Sequence, residues 1–294
     1  MNGTLAITRY TLLELSRRRL LLVFAIIGVL GIALLGIGLR ILYGLITSNP
    51  SRGGFGDTRL STDQLNKIIE TLFVSELFSA LSIFALLIAF GIGMTAIYHD
   101  LDSGAAVSIF SKPVSRLAFA TGKVIAAVAV LVAIVGVLAL ESRFVMFLFG
   151  GGLENELWLE VLAIVANSVV AMLIVLALST WVNNIVAAVI AFVYIIVVEG
   201  VVSYIHTLTD QGVINNDIVK YVFDGLYWLV PHQLSSSAIR DVALASAQLQ
   251  TQGGGPGPGA GVPPASGAGD IVWWAFTVLF FAVLVYYSVR RRQV

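Results

Sequence analysis

The sequence contains no cysteine, which excludes disulfide bonds and thiol chemistry from its function. Charged residues are also scarce: Asp, Glu, Lys and Arg make up 12% of the 294 residues, about half of the ~25% that is usual in a soluble domain. Hydrophobic residues make up 58%, and the mean hydropathy is +0.95. This composition indicates an integral membrane protein.

Several catalytic signatures are missing as well. The sequence has no G-x-x-x-x-G-K-[ST] phosphate-binding loop, so nucleotide hydrolysis by that route is excluded, and it has no H-E-x-x-H, G-x-S-x-G or C-x-x-C motif. The histidines His99, His206 and His232 are far apart in the sequence, which argues against a shared metal site. We therefore expect a chain that is not an enzyme, with no catalytic residue, metal or cofactor of its own.

Apolar runs divide the sequence into six candidate membrane spans, since roughly 20 apolar residues cross a bilayer as a helix. The runs cover residues 20–47, 72–97, 123–149, 157–182, 185–206 and 271–289. They predict an all-α integral membrane protein whose residues 1–294 form a single transmembrane domain. The boundary at Asn183–Asn184 is the weakest, because without a turn there the count falls to five.

The distribution of charge tests the count of spans. With six spans, both termini lie on the same side as the loops at 98–122 and 183–184. That side holds ten of the 17 basic residues and three of the 17 acidic ones, a net charge of +7 against −7 elsewhere. By the positive-inside rule this side is cytoplasmic.

The longest stretch outside the spans covers residues 207–270. Within it, residues 252–269 are so rich in glycine and proline that we expect a flexible tether. The preceding stretch, 221–244, contains Tyr227 and Trp228, residue types that favour the headgroup region. It predicts a short helix or a re-entrant piece at the outer interface.

A polar loop, 98–122, separates the second and third spans. Asp100, Asp102 and Ser103 are good N-cap residues for a short helix over 105–111, which Pro113 would stop. That helix would present apolar side chains, and basic residues around it would lie within reach of lipid phosphates; the two groups are Val107, Ile109 and Phe110, and Lys112, Arg116 and Lys123. An ordinary loop anchored by basic residues fits the same pattern.

The segment D-L-D-S-G-A-A-V-S-I-F-S-K-P-V-S-R-L-A-F-A-T-G-K resembles the cytoplasmic loop of ABC type-2 permeases, a class that includes multidrug, lipid and peptide exporters and the copper-processing and gliding-type permeases. The family pattern is an acidic residue, Ser-Gly-Thr, a short apolar helix, Lys-Pro-(Val/Ile)-Ser-Arg and Gly-Lys. It is matched by Asp100, Ser103, Gly104, Lys112, Pro113, Val114, Ser115, Arg116, Gly122 and Lys123. The sequence departs from it at Asp100, where Glu is usual, and at Ala105, where Thr is usual.

The resemblance implies a function. In such permeases the loop is a cytoplasmic coupling helix that docks on a separate ATP-binding subunit, which carries ATP and Mg²⁺, and two permease chains pair with two ATPases. It implies a multi-pass subunit, more often of an exporter, in the cytoplasmic membrane of a prokaryote. The net charge of the exposed cytoplasmic surface favours anionic lipid headgroups over nucleic acid as its partner. The residues assigned to ATPase coupling are Asp100, Asp102, Ser103, Gly104, Val107, Phe110, Lys112, Pro113 and Arg116.

Ionisable residues inside spans are costly and are therefore functional candidates. Glu76, Glu141, Arg143 and Glu199 all fall towards the outer ends of their spans, which suggests an outward vestibule on a substrate path. The alternative is that they make helix-to-helix hydrogen bonds and anchor the chain at the interface.

Two other classes of function remain. An ion-coupled secondary carrier without an ATPase would use Glu141, Arg143 and Glu199 as its ion or proton site, although such sites more often lie at the midplane. A structural membrane subunit or an intramembrane enzyme is the other possibility, and no catalytic constellation supports the enzyme.

Overall fold

The computed structural model describes residues 3–48, 62–102, 114–148, 157–236 and 265–291. Regular secondary structure within these ranges is helical. We number the helices in chain order as α1 Gly3–Ser16, α2 Arg19–Ser48, α3 Thr62–Thr95, α4 Tyr98–Asp102, α5 Arg116–Leu148, α6 Leu157–Ser179, α7 Asn184–Asp210, α8 Asp217–Leu229 and α9 Ala268–Arg291.

The described part of the chain contains six helices that are long and apolar enough to cross a membrane: α2, α3, α5, α6, α7 and α9. The prediction of six such helices is confirmed. The weakest predicted boundary is a real break, because α6 ends at Ser179 and α7 begins at Asn184. Asn183 caps α7 by accepting a hydrogen bond from the backbone N–H of Ile185, which satisfies a donor at the start of the helix.

Helices α3 and α6 lie at the centre of the bundle. In their most apolar stretches 61% and 67% of the residues are buried, against 11% in α9. The two helices approach closely at Gly93, where a Cβ atom would come within 2.8 Å of the Met172 carbonyl oxygen and of the Val175 Cβ. Gly93 therefore makes its close contact within one chain.

Contacts between helix termini define the two ends of the bundle. The Arg116 guanidinium donates to the carbonyl oxygen of Arg290 at 2.6 Å, and the Trp181 indole donates to the Ser288 hydroxyl. The start of α5, the turn after α6 and the end of α9 therefore share one end, which we call the basic end. Helix α8 and the start of α9 lie at the opposite end, where His232 contacts Asp270.

Helix α7 is not regular throughout. Residues Tyr194–Glu199 form a π-helical segment between α-helical stretches that end at Val193 and begin again at Gly200. Such segments are rare and are often found at functional sites. Glu199 is the last residue of this one.

The structure shortens two predicted irregular stretches. The predicted tether 252–269 ends earlier, because Ser266 and Gly267 are hydrogen-bonded to Ser235 and Asp270 and α9 begins at Ala268; residues 252–264 lie outside the described residues. The predicted loop 98–122 is replaced at its two ends by α4 and by the first two turns of α5. The predicted helix over 105–111 lies outside the described residues.

Candidate functional site

A buried ion cluster lies at the basic end, next to the residues that resemble the permease loop. The Lys123 side chain is fully buried, and its Nζ lies 2.6 Å from Asp100 Oδ2 and 3.0 Å from Glu14 Oε2. Arg18 forms a second ion pair with Glu14. The prediction that Lys123 reaches lipid phosphates is therefore wrong. Because α5 begins at Arg116, Lys123 lies two turns inside the helix, where α1 covers it.

Helix α1 is held against α5 beside this ion cluster. A Cβ atom at Gly122 would come within 2.9 Å of the Ile7 Cβ, so the absence of a side chain there permits the contact. The Thr8 hydroxyl donates to the Gly122 carbonyl oxygen at 3.3 Å. The Tyr10 ring centroid lies 5.6 Å from Lys123 Nζ, within the range of a cation–π interaction. Lys123 is thus enclosed by carboxylates and aromatic rings.

Neighbouring positive charges keep the Glu14 carboxylate of this cluster ionised. Burial alone raises the pKa of Glu14, but Lys123 and Arg18 outweigh it and hold that pKa below its ordinary value. The pKa of Tyr10 is raised, first by burial and then by Asp100 and Glu14. Glu14 is therefore a carboxylate, and Tyr10 a neutral phenol, at neutral pH.

The cluster anchors both sides of the undescribed stretch 103–113. Asp100 precedes this stretch and Lys123 follows it, and Glu14 joins the pair to α1. Asp100 is only 1% exposed and its carboxylate contacts Lys123 inside the protein; its assignment to ATPase coupling stays a prediction. In this geometry Asp100 fixes the position of α4 against α5 through its contact with Lys123.

The other predicted coupling residues fall in different places. Asp102 ends α4, and Arg116 begins α5 and contacts the end of α9. The remaining six lie outside the described residues: Ser103, Gly104, Val107, Phe110, Lys112 and Pro113.

A second site, a cavity of about 290 Å³, lies towards the opposite end of the bundle. Helices α3, α6, α7 and α8 and the segment after α8 form its walls. Its polar lining includes Ser82, Glu160, Asn167, Glu199, Ser203 and His206.

One wall is an extended segment, Pro231–Ser236, whose backbone is bonded to side chains. Asn167 accepts from the N–H of Leu234 at 2.8 Å and donates to its carbonyl oxygen at 2.9 Å. Glu160 accepts from the N–H of Ser236 at 3.2 Å. Asn167 is ten residues into α6, or ~15 Å along the helix. Irregular backbone at such depth is tolerated where it is buried in protein or lines a cavity.

Glu199 connects the π-helical segment to the same wall. It is 5% exposed and accepts hydrogen bonds from the N–H of Gln233 at 3.1 Å, from its side-chain amide at 2.9 Å and from the Ser203 hydroxyl at 3.1 Å. Sequence reasoning singled out Glu199 by its depth but identified none of these partners.

The four residues predicted to line a substrate path do not share one site. Glu199 lines the cavity, whereas Glu76, Glu141 and Arg143 are not among its lining residues. Glu76 is exposed, and the guanidinium of the buried Arg143 lies 5.3 Å from the centre of the Trp158 ring. The structure instead places Glu160, which sequence reasoning missed, in the lining of the same cavity as Glu199. Glu160 falls in the first turn of α6, where an acid is ordinary, so its position in the sequence carried no signal.

An aromatic stack borders the cavity on its α8 side. The Tyr227 ring lies between two imidazoles, 4.1 Å from the ring centre of His206 and 3.9 Å from that of His232. The imidazoles contact Asp224 at 3.3 Å and Asp270 at 3.1 Å respectively. Burial, followed by Asp270, raises the pKa of Tyr227. Helix α8 covers the start of the stretch 221–244, for which a short helix or a re-entrant piece was predicted; residues 237–244 lie outside the described residues.

Comparisons with known proteins leave the family open. No protein-family model matches the chain, and no match is found among curated proteins.

Proposed function

We propose that this chain is the permease subunit of an ATP-driven ABC transporter, that it is an exporter, and that its loop at 103–113 contacts a separate ATP-binding subunit. The observation that carries the proposal is the buried ion cluster of Glu14, Asp100 and Lys123, which fixes both sides of that loop to helices. The sequence resemblance places the coupling helix of the ABC type-2 permeases at the same position.

The cluster is suited to transmit a displacement of the loop. Removing one partner of a buried ion pair typically costs 3–5 kcal/mol, so the Asp100–Lys123 pair resists separation. A push on the loop would then move α4, α5 and α1 together, and α4 follows α3 after two residues. Helix α3 also contributes Ser82 to the cavity wall, so the same helix connects the loop with the candidate substrate site. Coupling requires that the ATPase contacts differ between the two transporter states.

The charge distribution supports an orientation with the basic end, both termini and the loop in the cytoplasm. The transporter would contain a second permease copy, and α9 and α2 offer apolar faces to it or to lipid, since 11% and 22% of their apolar stretches are buried.

The test is co-purification from the native membrane. The tagged chain should carry an ATP-binding protein with it, and the double variant Val107→Asp/Phe110→Asp should lose that protein. Val213→Asp is the matched control, because Val213 is 54% exposed in the turn between α7 and α8, away from the loop. Loss of the ATPase in both variants, or retention in both, would refute the proposed docking site.

The buried carboxylates of Glu160 and Glu199 support a second candidate, an ion-coupled carrier that works without an ATPase. It predicts solute uptake by the purified chain in liposomes that is driven by an ion gradient alone. The ABC permease predicts no uptake under those conditions and ATP-dependent transport when the ATPase is added.

A further inference from the structure

We infer that the cavity between α6, α7 and Pro231–Ser236 binds a small organic cation. The ammonium group of this ligand would lie between Glu160 and Glu199, with the apolar part of the ligand beside it. That this ligand is the exported cargo rests on the proposed function; the binding itself does not.

Charge balance is the first argument. Glu160 and Glu199 are 9% and 5% exposed, and both line the cavity. Among the described lining residues there is no Lys or Arg to compensate them, and the imidazole of His206, which also lines the cavity, contacts Asp224 instead. Buried charges within a membrane helix bundle need a partner of opposite charge. A bound cation would supply it.

The hydrogen bonds to the Pro231–Ser236 segment do not by themselves explain why positions 160 and 199 carry carboxylates. Asn167 binds the N–H and the carbonyl oxygen of Leu234, so a neutral amide is sufficient to hold this backbone. An ionised carboxylate offers about four acceptor positions and no donor, so Glu160, with one described donor, and Glu199, with three, keep positions open for an ammonium group. The Ser235 hydroxyl oxygen also lines the cavity, is buried, and has no hydrogen-bond partner in the described structure.

The donor set favours an organic cation over a metal ion. No group of three or more His, Asp or Glu side chains suited to a metal occurs in the ranges that the structure describes. Next to the polar cavity lies a smaller one of about 60 Å³, which shares Ser82, Asn167, Glu199 and Gln233 with it. Its remaining wall is largely apolar and includes Leu86, Val170, Ile174 and Ile195. The site thus offers carboxylates to a charged head and hydrocarbon to an attached body.

The size of the site limits the ligand. Drug-sized ligands occupy pockets of roughly 300–1,000 Å³, and the main cavity, at about 290 Å³, is at the lower end of that range. A primary amine with one aromatic or short alkyl arm is the class of ligand that fits.

The test measures binding of phenethylamine, which is protonated at neutral pH, to the purified full-length chain in detergent by isothermal titration calorimetry. The matched neutral probe is 2-phenylethanol, in which a hydroxyl replaces the ammonium group. We expect saturable binding of the amine, at least about tenfold tighter than that of the alcohol, since hydrogen bonds to charged groups are the stronger ones. Glu199→Gln and Glu160→Gln should each weaken binding of the amine about tenfold or more.

Asp210→Asn is the control variant. Asp210 is exposed at the end of α7, so this substitution removes one negative charge outside the cavity. It should leave the affinity unchanged. Equal affinities for amine and alcohol, or no saturable binding of the amine, would overturn the inference and leave a cavity whose carboxylates are neutral or only hold the Pro231–Ser236 segment. If either glutamine variant fails to fold, the comparison of the amine with the alcohol on the native chain still tests the cation site.

The result is separable from the test of the proposed function. Amine binding without a co-purifying ATPase would refute the ABC permease and leave the binding site standing. A co-purifying ATPase without amine binding would refute the cation site alone.

Discussion

Lys123 and Asp100 form an ion pair at 2.6 Å in which neither side chain is more than 2% exposed. The two residues lie on opposite sides of the stretch 103–113, so the pair closes the base of the loop. Glu14 extends the pair to α1 at 3.0 Å. The three residues therefore hold α1, α4 and α5 together at the basic end.

Substituting Lys123→Met should destabilise the protein by about 3–5 kcal/mol, because it leaves Asp100 and Glu14 without their buried cation. Thermal unfolding in detergent measures the effect. Lys220→Met is the control, because Lys220 is exposed on α8. The double variant Lys123→Met/Asp100→Asn should recover part of the loss, since it removes the uncompensated charge. A single variant as stable as the native chain would show that the cluster contributes nothing to the fold.

The lowered pKa of Glu14 predicts a pH dependence of stability. A carboxyl whose folded pKa lies below its ordinary 4.5 stabilises the fold fully above that value, and the contribution is lost as the pH falls through the folded pKa. The melting temperature of the native chain should therefore exceed that of Glu14→Gln at pH 7 by a margin that narrows below about pH 4.5. A margin that is independent of pH down to pH 3 would contradict this role of Glu14. Because Glu14 is half-buried, solvent screening keeps the margin small.

Much of the helical framework was predictable from the sequence, because span length and charge bias depend on local composition. The six runs and the break before Asn184 required only hydropathy and an N-cap residue. The start of α5 was placed several residues too late, because Arg116–Gly122 was taken as part of the polar loop. Its first turn is capped locally by the Ser115 hydroxyl, which accepts from the Ala118 N–H at 3.1 Å, whereas its contact with α1 at Gly122 is tertiary.

The candidate sites were less predictable for the same reason. Glu199 attracted notice because a charge inside a span is costly, but two of the three hydrogen bonds it accepts come from Gln233, more than thirty residues away in the sequence. Glu160 lies near the start of its span, where an acid is ordinary. Only the return of the chain into the bundle after α8 brings it into the same cavity as Glu199.

Gly93→Ala should destabilise the protein by about 1–3 kcal/mol, because an added Cβ would lie 2.8 Å from the Met172 carbonyl oxygen and force α3 and α6 apart. Gly136→Ala is the matched control, since nothing lies within 4 Å of a Cβ built there. Thermal unfolding of both variants in the same detergent makes the comparison. Equal melting temperatures for the two variants would mean that α3 and α6 do not pack this closely.

Asn167→Ala should release the segment that forms one wall of the cavity. The substitution removes the partners of both the N–H and the carbonyl oxygen of Leu234, and each buried group left unsatisfied costs about 1–3 kcal/mol. Local opening then becomes easier, so hydrogen exchange at the Leu234 amide should accelerate about tenfold or more while the amides in the middle of α6 stay protected.

Asn215→Ala is the control, because Asn215 is exposed in the turn before α8. Exchange at Leu234 that is equally slow in both variants would show that the segment is held by Glu160 and Glu199 without Asn167. Under that outcome the carboxylates would have a structural role that an amide does not share, which would weaken the charge argument for a bound cation.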